Sequence, residues 1–199
     1  QLASLSGGVS ASFAYDGVGR RRAKTVSGTT TGFLYDGLNA VQELSGGSPS
    51  ANVLAGLGLD EWFRRTDSST TRDFLTDVLG STVALADTSG TVQTEYTYGA
   101  FGSTTTSGGS TTNRSGFTGR EDDGTGLTYY RARYQHPTLQ RFIGEDPLEF
   151  GGGDSNLYAY VLNSPTAYTD PTGEIPWAAP LIGCLLGGGS SAAGDYMAG

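Results

Sequence analysis

Phe13-Ala14-Tyr15-Asp16-Gly17-Val18-Gly19-Arg20 returns twenty positions later as Phe33-Leu34-Tyr35-Asp36-Gly37-Leu38-Asn39. Phe74-Leu75-Thr76-Asp77-Val78-Leu79-Gly80 follows two periods on, with Thr replacing Tyr. Tyr96-Thr97-Tyr98-Gly99-Ala100-Phe101-Gly102 follows one more period on, with Gly replacing Asp. Gly56-Leu57-Gly58-Leu59-Asp60 falls near the missing copy, out of register. In each unit an aromatic residue and its second neighbour, such as Phe13 and Tyr15, alternate with the period of a strand. Asp first and Gly last is the residue preference of a type I turn. Asn39 stands in a Gly place and tolerates left-handed backbone. Asp87-Thr88-Ser89-Gly90 is a further such turn, between Thr82-Val83-Ala84-Leu85-Ala86 and Thr91-Val92-Gln93-Thr94-Glu95-Tyr96. The pattern predicts successive hairpins, each too small to stand alone and buried by stacking on the next.

Composition agrees with an all-β chain. Among 199 residues, 32 Gly and 11 Tyr suit short strands and many turns, and helical periodicity is absent from residues 1 to 175. A net charge of −8 argues against nucleic acid as the main partner, because a phosphate-binding face needs a basic excess. The single Cys184 excludes an internal disulfide and a Cys-based zinc site, and the single His136 excludes a multi-His metal site. No cofactor or metal is expected. Gln1 is not an initiator Met and no signal peptide follows it, so the chain reads as part of something longer or as a processed product. Ser45 to Ser50, Ser103 to Thr112 and Gly151-Gly152-Gly153 read as two loops and a flexible hinge.

Beyond the repeats the chain changes character. Tyr129-Tyr130-Arg131-Ala132-Arg133-Tyr134 leads to Arg141-Phe142-Ile143-Gly144-Glu145-Asp146-Pro147, then Asn156-Leu157-Tyr158-Ala159-Tyr160, Asn163-Ser164-Pro165 and Asp170-Pro171-Thr172-Gly173. Two readings stay open for the aspartates. Each begins a turn with Pro in second place, which needs no chemistry. Two carboxylates beside a guanidinium, however, are also the parts of an acid–base pair. By residue type, Arg133 reads as a strand arginine paired with Glu145 or Asp123.

These strings resemble the core of the Rhs (rearrangement hotspot) or YD-repeat proteins, and are similar to the C components of Tc toxins and the YD shells of teneurins. The likeness is specific over residues 115 to 177 and repetitive over 11 to 114. It implies a β-hairpin strip (1–114) curling into part of a hollow shell, a core (115–177) that plugs the shell, and the start of a variable segment (178–199). It further implies aspartic self-cleavage just after Asp170-Pro171-Thr172-Gly173, with Asp146 and Asp170 as the catalytic pair and Arg133 as the supporting arginine. The implied partners are a C-terminal toxin or other cargo polypeptide, upstream YD repeats of the same protein and a secretion-system component, in a secreted or cell-surface setting.

The chain departs from the family pattern in four places. Gln135-His136-Pro137 replaces Tyr-Asp-Pro, and Leu148-Glu149-Phe150 intervenes after the first Asp-Pro. The two aspartates lie 24 apart, and Glu174-Ile175-Pro176 stands where the family often has Leu at the cut.

Other readings are blander. His136 reads as a turn residue and Asp122-Asp123-Gly124 is too short for a calcium loop. Asp87-Thr88-Ser89-Gly90 carries one residue too many for the Asp-Thr-Gly of aspartic proteases. The Gly/Ala-rich tail from Ala178 to Gly199 falls short of a bilayer span, with a helical stretch as one reading and Cys184 as a buried thiol. A structural or adhesive surface module, binding carbohydrate or protein through exposed tyrosines, is the rival function. A protease acting on other proteins is a third. Open strand edges predict self-association of this piece.

Overall fold

Eleven strands follow one another as a meander in the computed structural model, which describes residues 1–178. They are β1 (Ser4–Leu5), β2 (Ala11–Tyr15), β3 (Arg21–Val26), β4 (Thr29–Asp36), β5 (Asn39–Ser45), β6 (Ser48–Ala55), β7 (Trp62–Asp67), β8 (Thr71–Thr76), β9 (Thr82–Ala86), β10 (Val92–Tyr98) and β11 (Thr104–Gly108). Each pairs with the next in antiparallel register, giving one open sheet in sequence order.

The Tyr-Asp unit divides two tasks between its two residues. The aspartate builds its own turn: the amides of Gly19, Gly80 and Gly90 donate to the carbonyls of Asp16 (3.1 Å), Asp77 (3.0 Å) and Asp87 (2.9 Å). Each Oδ1 also accepts the amides two and four residues on, which are Val18 and Arg20, Leu79 and Ser81, and Ser89 and Thr91. The closing glycines sit at φ of 86°, 79° and 84°, where a side chain is disfavoured. The tyrosine ties its hairpin to the one before. Tyr35 Oη donates to the Arg21 carbonyl (2.9 Å), and Tyr98 Oη to the Thr82 carbonyl (2.6 Å). Arg21 and Thr82 occupy equivalent places, each five residues past a turn aspartate (16 to 21, 77 to 82).

Several local expectations fail for identifiable reasons. Gly37, at φ 56°, takes the left-handed place in the second turn, and Asn39 opens β5 opposite Asp36. The Asn39 amide instead fixes the irregular 56–61 turn, donating to Gly58 O and accepting from Asp60 N, both at 2.9 Å. The expected loop at Ser45 to Ser50 shrinks to Gly46-Gly47, with Ser45 paired to Ser48. Most of the polar stretch after Ser103 is edge strand β11, since successive threonines suit a pleated backbone even when fully exposed. The expected hinge at Gly151 to Gly153 is instead a short 3-10 turn over Glu149–Gly152.

A second antiparallel sheet comprises β12 (Glu121–Asp122), β13 (Thr128–Tyr130), β14 (Arg133–His136) and β15 (Arg141–Phe142). A last pair joins β16 (Tyr168–Thr169) to β17 (Trp177–Ala178). Strand β14 explains why the strip curls. Tyr134 packs on Phe13 of β2 with ring centroids 5.1 Å apart, while the adjacent Gln135 donates to the Phe101 carbonyl at 2.9 Å, just beyond β10. Eight strand spacings separate β2 from β10, about 38 Å on a flat sheet. One strand can touch both only if the sheet bends around it.

The inner face of the strip carries Phe13, Phe33, Trp62, Phe74 and Leu85, all buried. Inside the core, Phe117, Tyr130, Phe142, Tyr160 and Val161 form a separate apolar cluster. Tyr130 meets both Phe142 and Tyr160 edge to face, the arrangement that aromatic quadrupoles favour. Among the described residues, no helix is long and apolar enough to cross a membrane. The tail from 179 to 199, with Cys184 and the helical reading, lies outside the described residues.

Candidate functional site

Asp170 is a turn residue with one oxygen to spare. Its Oδ1 accepts the amides of Gly173 (2.9 Å), Glu174 (3.0 Å) and Ile175 (3.2 Å), an extended form of the strip's aspartate turn. Its Oδ2 faces Arg133 Nη2 at 3.2 Å. Asp146 repeats the division. Its Oδ1 accepts the Leu148 amide at 2.8 Å, and its Oδ2 lies 2.9 Å from the same Arg133 Nη2. A single guanidinium nitrogen therefore stands between the two carboxylates, and all three groups are buried. The alternative partners of Arg133 are engaged elsewhere: Glu145 accepts from Tyr158 Oη, and Asp123 pairs with Arg21 and Lys24.

The core fixes Arg133 on every side. Its guanidinium lies 3.8 Å from the centroid of the Phe142 ring, its Nη1 donates to Leu157 O at 3.2 Å, and its Nε donates to Gly173 O. The Gly173 carbonyl is thus held by the arginine that joins the two aspartates. Gly173 itself has φ 75°, and a Cβ there would lie 2.1 Å from the Tyr130 carbonyl oxygen. Only glycine allows the chain to lie this close to the β13–β14 turn.

Burial pushes the Asp170 carboxyl up, against the pull of the Glu174 amide and the Arg133 charge. Burial also lowers Arg133, opposed by Asp146 and Asp170. Beside the pair is a cleft of about 10 Å³ lined by Arg133, Asp146, Gly152, Asp170 and Glu174. That is about the space a single water needs. Among the described residues, no group of His, Cys, Asp or Glu is arranged to hold a metal ion.

No protein-family model matches the chain. The tRNA3(Ser)-specific nuclease WapA of Bacillus spizizenii is 32% identical over 176 residues, covering 84% of this chain and 8% of that protein. The double-stranded DNA deaminase toxin A of Burkholderia cenocepacia is 32% identical over 202 residues, covering 85% of this chain and 14% of its own length. The crystal structure of TcdB2-TccC3-Cdc42 superposes with a TM-score of 0.68 at 25% identity, covering 83% of this chain and 9% of that one. The chain is an Rhs-type YD-repeat protein.

It spans about a tenth of these larger proteins. Its eleven-stranded strip has the fold of the Tc-toxin shell, and its relatives are toxins. Within the Rhs core, sequence reasoning named Asp146, Asp170 and Arg133, and the structure brings the three together. It missed Phe142, the platform for Arg133, whose Arg-Phe string was visible without a reason attached. It also missed Asp60 and Arg131, which join strip to core. The lapse of the repeat at Gly56 to Asp60 was the one available signal for Asp60.

His136 ends β14 half-buried, and its Nδ1 accepts the Leu139 amide at 3.4 Å, a turn role.

Proposed function

We propose that this Rhs segment is the C-terminal part of a shell around a C-terminal toxin or other cargo polypeptide. In this reading the shell detaches its cargo by one self-cleavage just after Asp170-Pro171-Thr172-Gly173, within a secreted effector. Residues 1–114 supply wall, 115–177 supply plug and cutting element, and 178–199 begin the variable segment. One observation carries the reading: the arginine between the two carboxylates also holds the Gly173 carbonyl.

The chemistry follows from those contacts. Two carboxylates this close repel when both are ionised, so in this reading the pair shares one proton. Burial favours the proton on Asp170, so in this reading Asp170 is the acid and Asp146, on the same guanidinium nitrogen, is the base that takes a proton from water. The water oxygen bonds to the Gly173 carbonyl carbon while Arg133 Nε stabilises the charge on its oxygen. The carbon–nitrogen bond to Glu174 then breaks, and the nitrogen takes the Asp170 proton. One water is consumed, leaving a carboxyl at Gly173, an amine at Glu174 and one proton on the pair. The reacting chain is tethered, so the fold supplies its effective concentration. A cleft of this size leaves no room for a foreign polypeptide, which disfavours a protease acting on other proteins.

The test is mass spectrometry of the full-length protein. Wild type yields two fragments, the second beginning at Glu174, and Asp170→Asn and Asp146→Asn remain one chain. The same two fragments from Asp170→Asn overturn the assignment.

A further inference from the structure

Arg131 is an arginine in a place that disfavours it. It occupies the two-residue turn between β13 and β14 at φ 56°. Left-handed backbone is disfavoured for a residue with a side chain. Burial and the neighbouring Arg120 both disfavour its charge. Residues held against such costs often mark a functional constraint.

Its contacts show what the constraint achieves. Arg131 Nη1 and Nη2 grip Asp60 in a two-pronged pair at 2.9 and 2.7 Å. Nη2 also donates to the Leu38 carbonyl at 3.1 Å. Leu38 and Asp60 belong to the β4–β5 and β6–β7 turns, so both contacts are with the strip. Nη1 additionally donates to the Pro171 carbonyl, one residue past Asp170. The next residue adds a parallel bond, from Ala132 N to Thr172 O at 3.1 Å. One guanidinium therefore ties two strip turns to the backbone that carries the site. Asp60 is itself buried at φ 61° and is the shared anion for Arg120 and Arg131. The strip thus supplies the counter-charge on which the core arginine depends.

We propose that Arg131 is a positioning residue that makes the site conditional on strip docking. Asp60 orders Arg131, Arg131 sets the Pro171 carbonyl, and the Asp170 turn closes only when the strip has curled beneath the core. A shell built this way completes its wall before it cuts. The idea rests on the self-cleavage reading for its biological consequence, but the mechanical coupling is measurable alone.

Two readouts separate them. The first is the self-cleavage rate of the full-length protein carrying Arg131→Lys, which keeps the charge but cannot make the Asp60, Leu38 and Pro171 bonds together. Cleavage is expected to slow about tenfold or more, the scale of a misplaced reacting group. Trp62→Phe is the control, because it removes a strip–core bond (Nε1 to Gly119 O, 2.9 Å) that does not involve Arg131. It should leave the rate within about twofold.

The second readout is hydrogen exchange of the Gly173, Glu174 and Ile175 amides in an uncut Asp146→Asn background. Adding Asp60→Asn or Arg131→Lys should cost them about tenfold in protection, the worth of one hydrogen bond. Adding Trp62→Phe should not. If Arg131→Lys and Trp62→Phe behave alike in exchange, or in cleavage of a chain whose wild type is cut, the coupling is wrong. If the wild-type chain is never cut, self-cleavage fails while exchange still decides the coupling.

Discussion

Asp170 closes a turn with one oxygen and faces Arg133 with the other. The turn reading of this residue holds, and the same carboxylate also reaches the guanidinium that the catalytic reading requires. A turn that gathers three amides on Oδ1 points Oδ2 into the core, toward Arg133. Gly173 belongs to the same argument, because the chain there presses on the Tyr130 carbonyl at a left-handed φ. Gly173→Ala is expected to destabilise the core by about 1–3 kcal/mol, the cost of enforcing such backbone strain. Urea unfolding of the uncut Asp146→Asn chain, with and without the substitution, measures it. The Asp-Pro-Thr-Gly string was legible as a turn from residue type alone. The second duty of its carboxylate was not, because its partner lies 37 residues away at Arg133.

At the scale of the hairpin, the Tyr-Asp pair works because its members face different neighbours. The aspartate closes its own turn locally, so its role was readable from Asp and Gly spacing. The tyrosine reaches the preceding hairpin, and sequence alone revealed only that it alternates with Phe. Tyr35→Phe is expected to cost about 1 kcal/mol, a typical single hydrogen bond, with the strand still formed. A lower urea midpoint at unchanged slope would be the signature. Asn39 shows the limit of reading by residue type. Its tolerance of left-handed backbone was real but unused, because Gly37 took that place and the Asn amide was recruited across the sheet to the 56–61 turn.

For the molecule as a whole, strip and core meet through buried charge. Arg21 and Lys24 of β3 pair with Glu121 and Asp123 of the core. Burial pushes the Glu121 carboxyl up, but Arg21 and Lys24 outweigh it and hold it at about 2. A depressed carboxylate contributes stability above its unfolded pKa, about 4.3 for Glu, and loses it as pH falls. Asp123 acts in the opposite sense. Burial raises it, so the stability it contributes is present below its unfolded value and is lost as pH climbs through its folded value. Glu121→Gln is therefore expected to cost about 3–5 kcal/mol at neutral pH, where it leaves buried cations under-paired. It should also flatten the fall in stability between about pH 4.5 and pH 2. Urea midpoints measured across that range for both proteins check the sign. Both ends of the strip, β1 and β11, remain unpaired edges among the described residues, the feature behind the expected self-association.

The chain alone determined the hairpin meander, the aspartate turns and the identity of the three charged residues at the site. Those features depend on neighbours a few positions apart or on strings that travel as a unit. Only the folded molecule decided that one arginine nitrogen stands between Asp146 and Asp170. It alone showed Phe142 beneath that arginine, and Arg131 bonded both to a strip aspartate and to the Pro171 carbonyl. Such contacts join residues brought close by the curl of the sheet, and curvature is a sum over many strands that no local pattern records.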